Sequence, residues 1–358
     1  MAASIRFVLV GLGNVGRAFL ELMVSKADLL RNRYGLELIL TAAADSSGAV
    51  MDAGGIDPAA LRSHKERGGN AGNFLGGVPG MSARKLVAQA EADLLLEASP
   101  VNLQTGQPGL DCVRTAIGRG MGVVLANKGP LVHAFGKLEA AAAAAGVGLA
   151  YSATVCGALP VVNIGRRDLG ACAIRSVAGI FNATSNSILA AMARGGGYEQ
   201  ALRQAQLDGV AEADPSLDVE GWDTANKLVI IANSILRQPA TLADVQPVAG
   251  ITGITAAQIQ AGAAQGKVVK LVARAERTEV APDLTGVENL SGLSRYRLSV
   301  QPEWLPADDF LASVNGWEMG IVFDTDIMGL QQFKVDERGP VPTAAAMLRD
   351  VIEETSRE

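Results

Sequence analysis

A chain of 358 residues, 49% hydrophobic and 19% charged, is long enough for two domains with substantial cores and too apolar to be disordered. Its formal net charge of −6 argues against a general nucleic-acid-binding surface. Three cysteines (Cys112, Cys156 and Cys172) without a CxxC pair argue against a disulfide framework or a structural zinc site, and two histidines exclude a histidine-rich metal site.

Residues 4–10 are a short apolar run ending in glycine, as a buried parallel strand should be. Gly11-Leu12-Gly13-Asn14-Val15-Gly16 follows and fits G-x-G-x-x-G. It opens a helix expected over 15–30, where Phe19, Leu20, Met23 and Val24 share a face. Between a strand and a helix this pattern points to a dinucleotide: Gly11 permits the tight turn, Gly13 admits the pyrophosphate and Gly16 lets helix and strand pack closely. A glycine turn used only for packing is the plainer alternative.

The next strand, 36–44, runs into Asp45. An acidic residue there normally holds the ribose 2′-OH of NAD, but Ser46 and Ser47, helped by Lys65 or Arg67, could bond a 2′-phosphate instead. NAD and NADP both stay open. Residues 46–81, rich in Gly, Ser and Asn, read as a partly mobile excursion with a short helical piece near 58–67. Further strands are expected at 93–97, 122–126 and 149–155, and the strand–helix alternation implies a parallel sheet. Ser99 and Lys128 then sit at carboxyl ends of strands, where open α/β sheets bind ligands.

From about residue 155 the alternation stops. Strands are expected at 176–182, 267–275, 296–301 and 320–323, and helices at 185–193, 198–207 and 224–236. The fold predicted is α/β: a Rossmann-type parallel-sheet domain over 1–152 and a second, α+β domain over 153–340, with a last helix near 343–354 returning to the first. No apolar stretch approaches the roughly 20 residues of a membrane span, and the first residues do not read as a signal peptide. A cytoplasmic protein without a membrane partner is expected.

Several segments together resemble homoserine dehydrogenases: GLGNVG (11–16), ADSSGAV (44–50), ANKGPL (126–131), ATVCGALP (153–160), GIFNATSNSIL (179–189) and above all AEADPSLDVEGWDTANKL (211–228). The resemblance runs through nearly the whole chain. It implies reversible hydride transfer between NAD or NADP and L-homoserine, giving L-aspartate 4-semialdehyde, a step of threonine, methionine and isoleucine biosynthesis. It also implies a homodimer or a dimer of dimers built through second-domain strands, with neither an N-terminal kinase nor a C-terminal regulatory domain. The rival readings are a related dehydrogenase of another amino or hydroxy compound, and a dinucleotide sensor without turnover.

Lys227 lies four residues after Asp223 on a predicted helix, so the two side chains share a face. Taken alone, that is an ordinary surface ion pair worth about 0.3 kcal/mol. Glu212, Asp214, Asp218, Glu220 and Asp223 crowd the same stretch, and such like charges cost stability unless cations answer them. Lys227 and a substrate ammonium would do so. Asp214-Pro215 reads as a helix N-cap.

By resemblance Glu212 and Asp218 bind substrate, Asp223 binds and orients it, Lys227 is the acid–base residue and Lys128 bridges cofactor and substrate. A lysine with a pKa near ~10.4 is a poor proton shuttle at neutral pH; desolvation and a second cation would lower it, and carboxylates would oppose that. Spacing does not decide which lysine carries the proton. The reading adopted is Lys227, with Lys128 stabilising the oxygen.

The expected cofactor contacts are Gly11, Gly13, Asn14, Val15, Gly16, Asp45, Ser46, Ser99, Lys128 and Gly339. Gly339 lies in a turn, Glu337-Arg338-Gly339-Pro340, that departs from the family's glycine-rich one. The resemblance adds a monovalent cation, Na+, on the backbone carbonyls of Ser152, Val155, Gly157 and Leu159. Many members carry Glu where this chain has Ser152.

Overall fold

The computed structural model describes residues 2–278 and 295–356. The chain divides into two compact units, one of Met1–Ala158 with Arg338–Glu358 and one of Leu159–Glu337.

The first unit is built on seven strands: β1 (Ala3–Val10), β2 (Leu36–Asp45), β3 (Gly48–Met51), β4 (Gly77–Pro79), β5 (Leu94–Glu97), β6 (Gly122–Leu125) and β7 (Leu149–Ala150). They form one sheet in the order β4-β3-β2-β1-β5-β6-β7. The run from β2 through β1, β5 and β6 to β7 is parallel, and β3 and β4 are added antiparallel. The central strands are nearly all apolar because helices cover both faces. Helices Asn14–Ser25 and Val341–Thr355 bury Phe19, Leu20, Met347 and Val351 in one core with Phe7 and Leu9 of β1. Phe7 and Phe19 meet edge to face with centroids 5.8 Å apart. Successive strands run outward from β1 in two directions, through β2 and through β5. The carboxyl ends of β1 and β5 therefore flank the switch point where such sheets bind ligands.

Two expectations in this unit need correction. Residues 46–81 contribute two strands, β3 and β4, beside the expected helix, Pro58–Glu66, whose first turn is capped by the Asp57 carboxylate accepting from Ala59 and Ala60 N–H. Residues 149–155 do not continue as a strand. Only Leu149–Ala150 pairs, and a 3₁₀ turn follows at Ser152–Thr154. There Asp350, from the last helix, accepts the Ser152 N–H at 2.8 Å, and Cys156 and Gly157 take left-handed φ values of 55° and 33°.

The second unit holds β8 (Ile174–Ile180), β9 (Val245–Val248), β10 (Lys267–Arg277), β11 (Tyr296–Pro306), β12 (Glu318–Thr325) and β13 (Leu330–Asp336), in the order β13-β12-β8-β10-β11-β9. All pairs are antiparallel except β11 with β9. Helices Ala183–Ala193 and Trp222–Ser234 belong to this unit, and Leu228, Val229, Ile230 and Ile231 of the second are fully buried. Sequence patterning missed β9, β13 and the helix Ala256–Ala264. β13 presents Gln331 beside Phe333 and Val335 on its half-buried face, so no clean apolar alternation marks it. Among the described residues no helix is long and apolar enough to cross a membrane.

Candidate active site

The three glycines of the loop differ in their surroundings. Gly11 has φ +101°, and a Cβ there would lie 2.3 Å from the Ala98 carbonyl oxygen, so the loop packs directly on the end of β5. A Cβ on Gly16 would lie 2.0 Å from the Gly11 carbonyl oxygen, which presses helix against turn. Gly13 is different: a Cβ there would meet nothing within 4 Å. Gly13 also holds the N-cap position of Asn14–Ser25 without any capping side chain. Uncapped first-turn N–H groups, an open glycine above them and the positive end of a helix dipole form a cradle that fits a dinucleotide pyrophosphate. Asn14, the first helical residue, accepts from Arg17 Nη2 through Oδ1 at 2.8 Å.

Asp45 ends β2, yet its carboxylate is turned into the chain that follows. Oδ1 accepts from Ser47 N–H at 3.0 Å and Ser47 Oγ at 2.6 Å; Oδ2 accepts from Lys65 Nζ at 2.6 Å and Ala71 N–H at 3.0 Å. Burial pushes its pKa up, but the bonds from Lys65, Ser47 and Ala71 outweigh it and hold the carboxyl at about 2. Ser46, beside it, is exposed.

At the carboxyl ends of β5 and β6 a small polar network forms. Ser99 N–H donates to Glu97 Oε1 at 3.1 Å, Asn127 Nδ2 donates to Ser99 Oγ at 3.2 Å, and Asn127 Oδ1 accepts the Gly129 N–H at 2.9 Å. Lys128, half-buried, starts the helix Gly129–Ala145 from this edge. Sequence reading passed over Glu97 and Asn127. The one signal for Glu97 was a carboxylate closing an otherwise apolar strand. Gly339 has φ +72° in the turn before Val341–Thr355, with open space where a Cβ would be.

In the second unit the acidic segment folds into a short helix, Ser216–Val219, and Gly221 at φ +89° reverses the chain into Trp222–Ser234. Asp223 falls in the first turn of that helix, where negative charge is favoured. Lys227 Nζ donates to Asp223 Oδ2 at 2.8 Å and to the Phe181 carbonyl at 2.5 Å. Both side chains are largely buried, at 13% and 11% exposure, so this is not the solvated surface pair that spacing alone would suggest. Asn182 Nδ2 reaches Asp218 Oδ1 at 2.6 Å and Asp223 Oδ2 at 2.9 Å. Burial and the neighbouring Asp223 charge raise the Asp218 pKa, opposed by Asn182 and Lys227.

The structure thus brings Asp218, Asp223 and Lys227 together and adds Asn182 and the Phe181 carbonyl, neither singled out by sequence. Asn182 carried a helix-start signal, but nothing local marked its carboxylate partners. Glu212 stays outside this cluster: it is exposed, and its backbone carbonyl accepts from Gln206 Nε2 at 3.2 Å. Asp214 caps locally, Oδ1 accepting the Ser216 N–H at 3.1 Å.

The residues expected to hold a cation offer only neutral donors. Ser152 Oγ donates to Asp350 Oδ1 and accepts from Arg349 Nη2 at 2.8 Å, so the hydroxyl is engaged. The Ser152 carbonyl accepts the Val155 N–H at 3.4 Å and the Leu159 carbonyl the Val161 N–H at 2.7 Å. Among the described residues no group of three His, Cys, Asp or Glu is placed to hold a metal ion.

Comparison with known proteins agrees with this arrangement. The homoserine dehydrogenase family model matches residues 160–352. A homoserine dehydrogenase of Methanocaldococcus jannaschii is 33% identical over 346 residues, covering 96% of this chain and 97% of the relative. An NAD(+)-dependent homoserine dehydrogenase of Pseudomonas canavaninivorans is 31% identical, covering 97% of this chain and 95% of its own. A solved structure from Archaeoglobus fulgidus, provisionally designated a homoserine dehydrogenase, superposes with a TM-score of 0.83 at 37% identity, covering 98% of both chains. With an open dinucleotide cradle in one unit and a buried lysine–carboxylate cluster in the other, this chain belongs to the homoserine dehydrogenase family.

Proposed function

We propose that this chain catalyses reversible NAD(P)-dependent reduction of L-aspartate 4-semialdehyde to L-homoserine, with Lys227 as the acid–base residue. The observation that carries the assignment is the burial of Lys227 against Asp223 and the Phe181 carbonyl. NAD(P), when bound, supplies or accepts the hydride. Lys227 gives its proton to the oxygen that becomes the alcohol and takes it back in the reverse direction. Lys128 stabilises charge on that oxygen. Asp218 and Asp223 hold the substrate ammonium and, with Glu212, match its positive charge.

On the nucleotide side, Gly11, Gly13, Asn14, Val15 and Gly16 form the pyrophosphate cradle. Ser46 lies on the adenosine ribose side with Asp45, whose carboxylate would have to exchange its bonds to Ser47, Lys65 and Ala71 for the ribose; Ser99 and Lys128 serve the nicotinamide end, and Gly339 lends its turn to the same cofactor. The open Cβ position at Gly13 and the uncapped helix start support this half. A Na+ ion on the carbonyls of Ser152, Val155, Gly157 and Leu159 would rest on neutral oxygen alone. The enzyme is proposed to work in the cytoplasm as a homodimer or dimer of dimers. The uncovered side of β13, an edge strand, supports a second copy there, and light scattering tests it.

The test is initial-rate absorbance of reduced nicotinamide with L-homoserine and NAD or NADP, for the parent chain and Lys227→Ala. Saturable turnover that falls 10²–10⁴-fold in the variant, with cofactor binding intact, supports the assignment. Undiminished turnover in Lys227→Ala would overturn it.

A further inference from the structure

Asn182 follows β8 and stands at the start of the helix Ala183–Ala193. Its Oδ1 accepts the Ser185 N–H at 2.9 Å, an ordinary N-cap. Because Oδ1 is committed to a donor, the amide can be oriented only one way, and Nδ2 points at the acids. An amide nitrogen carries two N–H groups. Here one goes to Asp218 Oδ1 at 2.6 Å and the other to Asp223 Oδ2 at 2.9 Å.

The same Asp223 Oδ2 accepts from Lys227 Nζ, and that nitrogen also donates to the carbonyl of Phe181, the residue preceding Asn182. Residues 181 and 182 therefore touch every charged member of the cluster: the backbone holds the lysine and the side chain spans the two carboxylates. Without the amide, two buried like charges would face each other, and Asp223 would lose a bond that holds its carboxylate toward the lysine. Capping does not require this arrangement. Asp and Ser cap a helix as well as Asn does, but Asp at neutral pH offers no N–H and Ser is too short to span two carboxylates.

We infer that Asn182 is a positioning residue for the reaction: its amide ties Asp218 to Asp223 and so fixes the carboxylate that orients Lys227. The inference rests on the site assignment above. Asn182→Asp is close to isosteric, keeps the cap and removes both donors. The expected result is a fall of at least tenfold in kcat/KM for L-homoserine, with KM for the nicotinamide cofactor unchanged. Asn182→Ser keeps the cap without adding charge. It should show a smaller loss in the same parameter at an unchanged thermal midpoint, and it decides the matter if the Asp variant does not fold.

Parental kinetics in folded Asn182→Asp or in Asn182→Ser would make Asn182 a helix cap alone and overturn the inference. Lys227→Ala, measured alongside, separates the two levels. Full turnover there overturns the site assignment itself. Loss of turnover there with parental Asn182 variants overturns only the bridge.

Discussion

Replacing Glu97 by Gln should remove the pH dependence of stability that this one buried carboxyl contributes between about pH 4.5 and 7. Glu97 closes β5 with a fully buried carboxyl, and its Oε2 has no hydrogen-bond partner among the described residues. Burial lifts its pKa from 4.5 to about 7, against the lowering effect of Ser99 and Asn127. Between those two values the native chain holds a proton that the unfolded chain has lost, so stability falls as pH rises. The contribution is fully present below about 4.5 and gone above about 7, and the shift is worth about 3 kcal/mol.

Gln keeps the shape and cannot ionise. Its new NH₂ near Gly109 adds an offset, but one independent of pH. Asp350, raised to about 6 by burial, titrates in both proteins and cancels in the difference. Cys112, pushed to about 12 by burial and then by the Glu97 charge, stays a thiol in both. Urea unfolding of both proteins between pH 4.5 and 8.5, followed by far-ultraviolet circular dichroism, reads the difference. It should move by about 3 kcal/mol in favour of Glu97→Gln across that range. A difference that stays constant with pH would refute the reasoning, because Glu97 would then not titrate there.

Other outcomes follow from the same geometry. Gly13→Ala meets no protein atom within 4 Å, so its thermal midpoint should hold while KM for NAD(P) rises at least tenfold; Gly16→Ala, 2.0 Å from a backbone oxygen, should lose stability as well. Lys65→Ala removes a cation from beside Asp45 and leaves its Oδ2 with the Ala71 N–H, and the ratio of kcat/KM for NAD over NADP should rise about tenfold; an unchanged ratio would place Lys65 away from the ribose. Asp350→Ala strands the Ser152 N–H and hydroxyl and should cost about 2–4 kcal/mol in thermal unfolding. With only neutral backbone carbonyls offered by Ser152, Val155, Gly157 and Leu159, exchanging NaCl for KCl at equal ionic strength should change kcat/KM less than about twofold.

What the sequence makes legible follows from how far apart the cooperating residues lie. The glycine loop packs its strand, turn and helix into consecutive residues, so spacing alone carries its geometry: Gly11 and Gly16 press on backbone and Gly13 stands open. Lys227 and Asp223 are one helical turn apart and meet. The bonds that turn these pieces into a site join distant residues. Asn182 meets Asp218 and Asp223 across 36 and 41 positions, and Asp350 reaches Ser152 across 198. The second of these changes local structure outright, because a buried carboxylate taking the Ser152 N–H removes the donor a strand would use and turns 149–155 into a 3₁₀ corner. Asp45 shows the converse. Its place at the end of β2 is legible, but its orientation is set by Lys65 and Ala71, 20 and 26 residues on, in a segment that reads from composition as a loose loop. Composition failed there because β3 and β4 are short and gain their stability from pairing on β2 and on each other, not from an apolar pattern of their own. An acid placed by pattern is therefore only a candidate ligand. Whether it faces the cofactor or the protein depends on donors that no local spacing reveals, and here four of them already hold it.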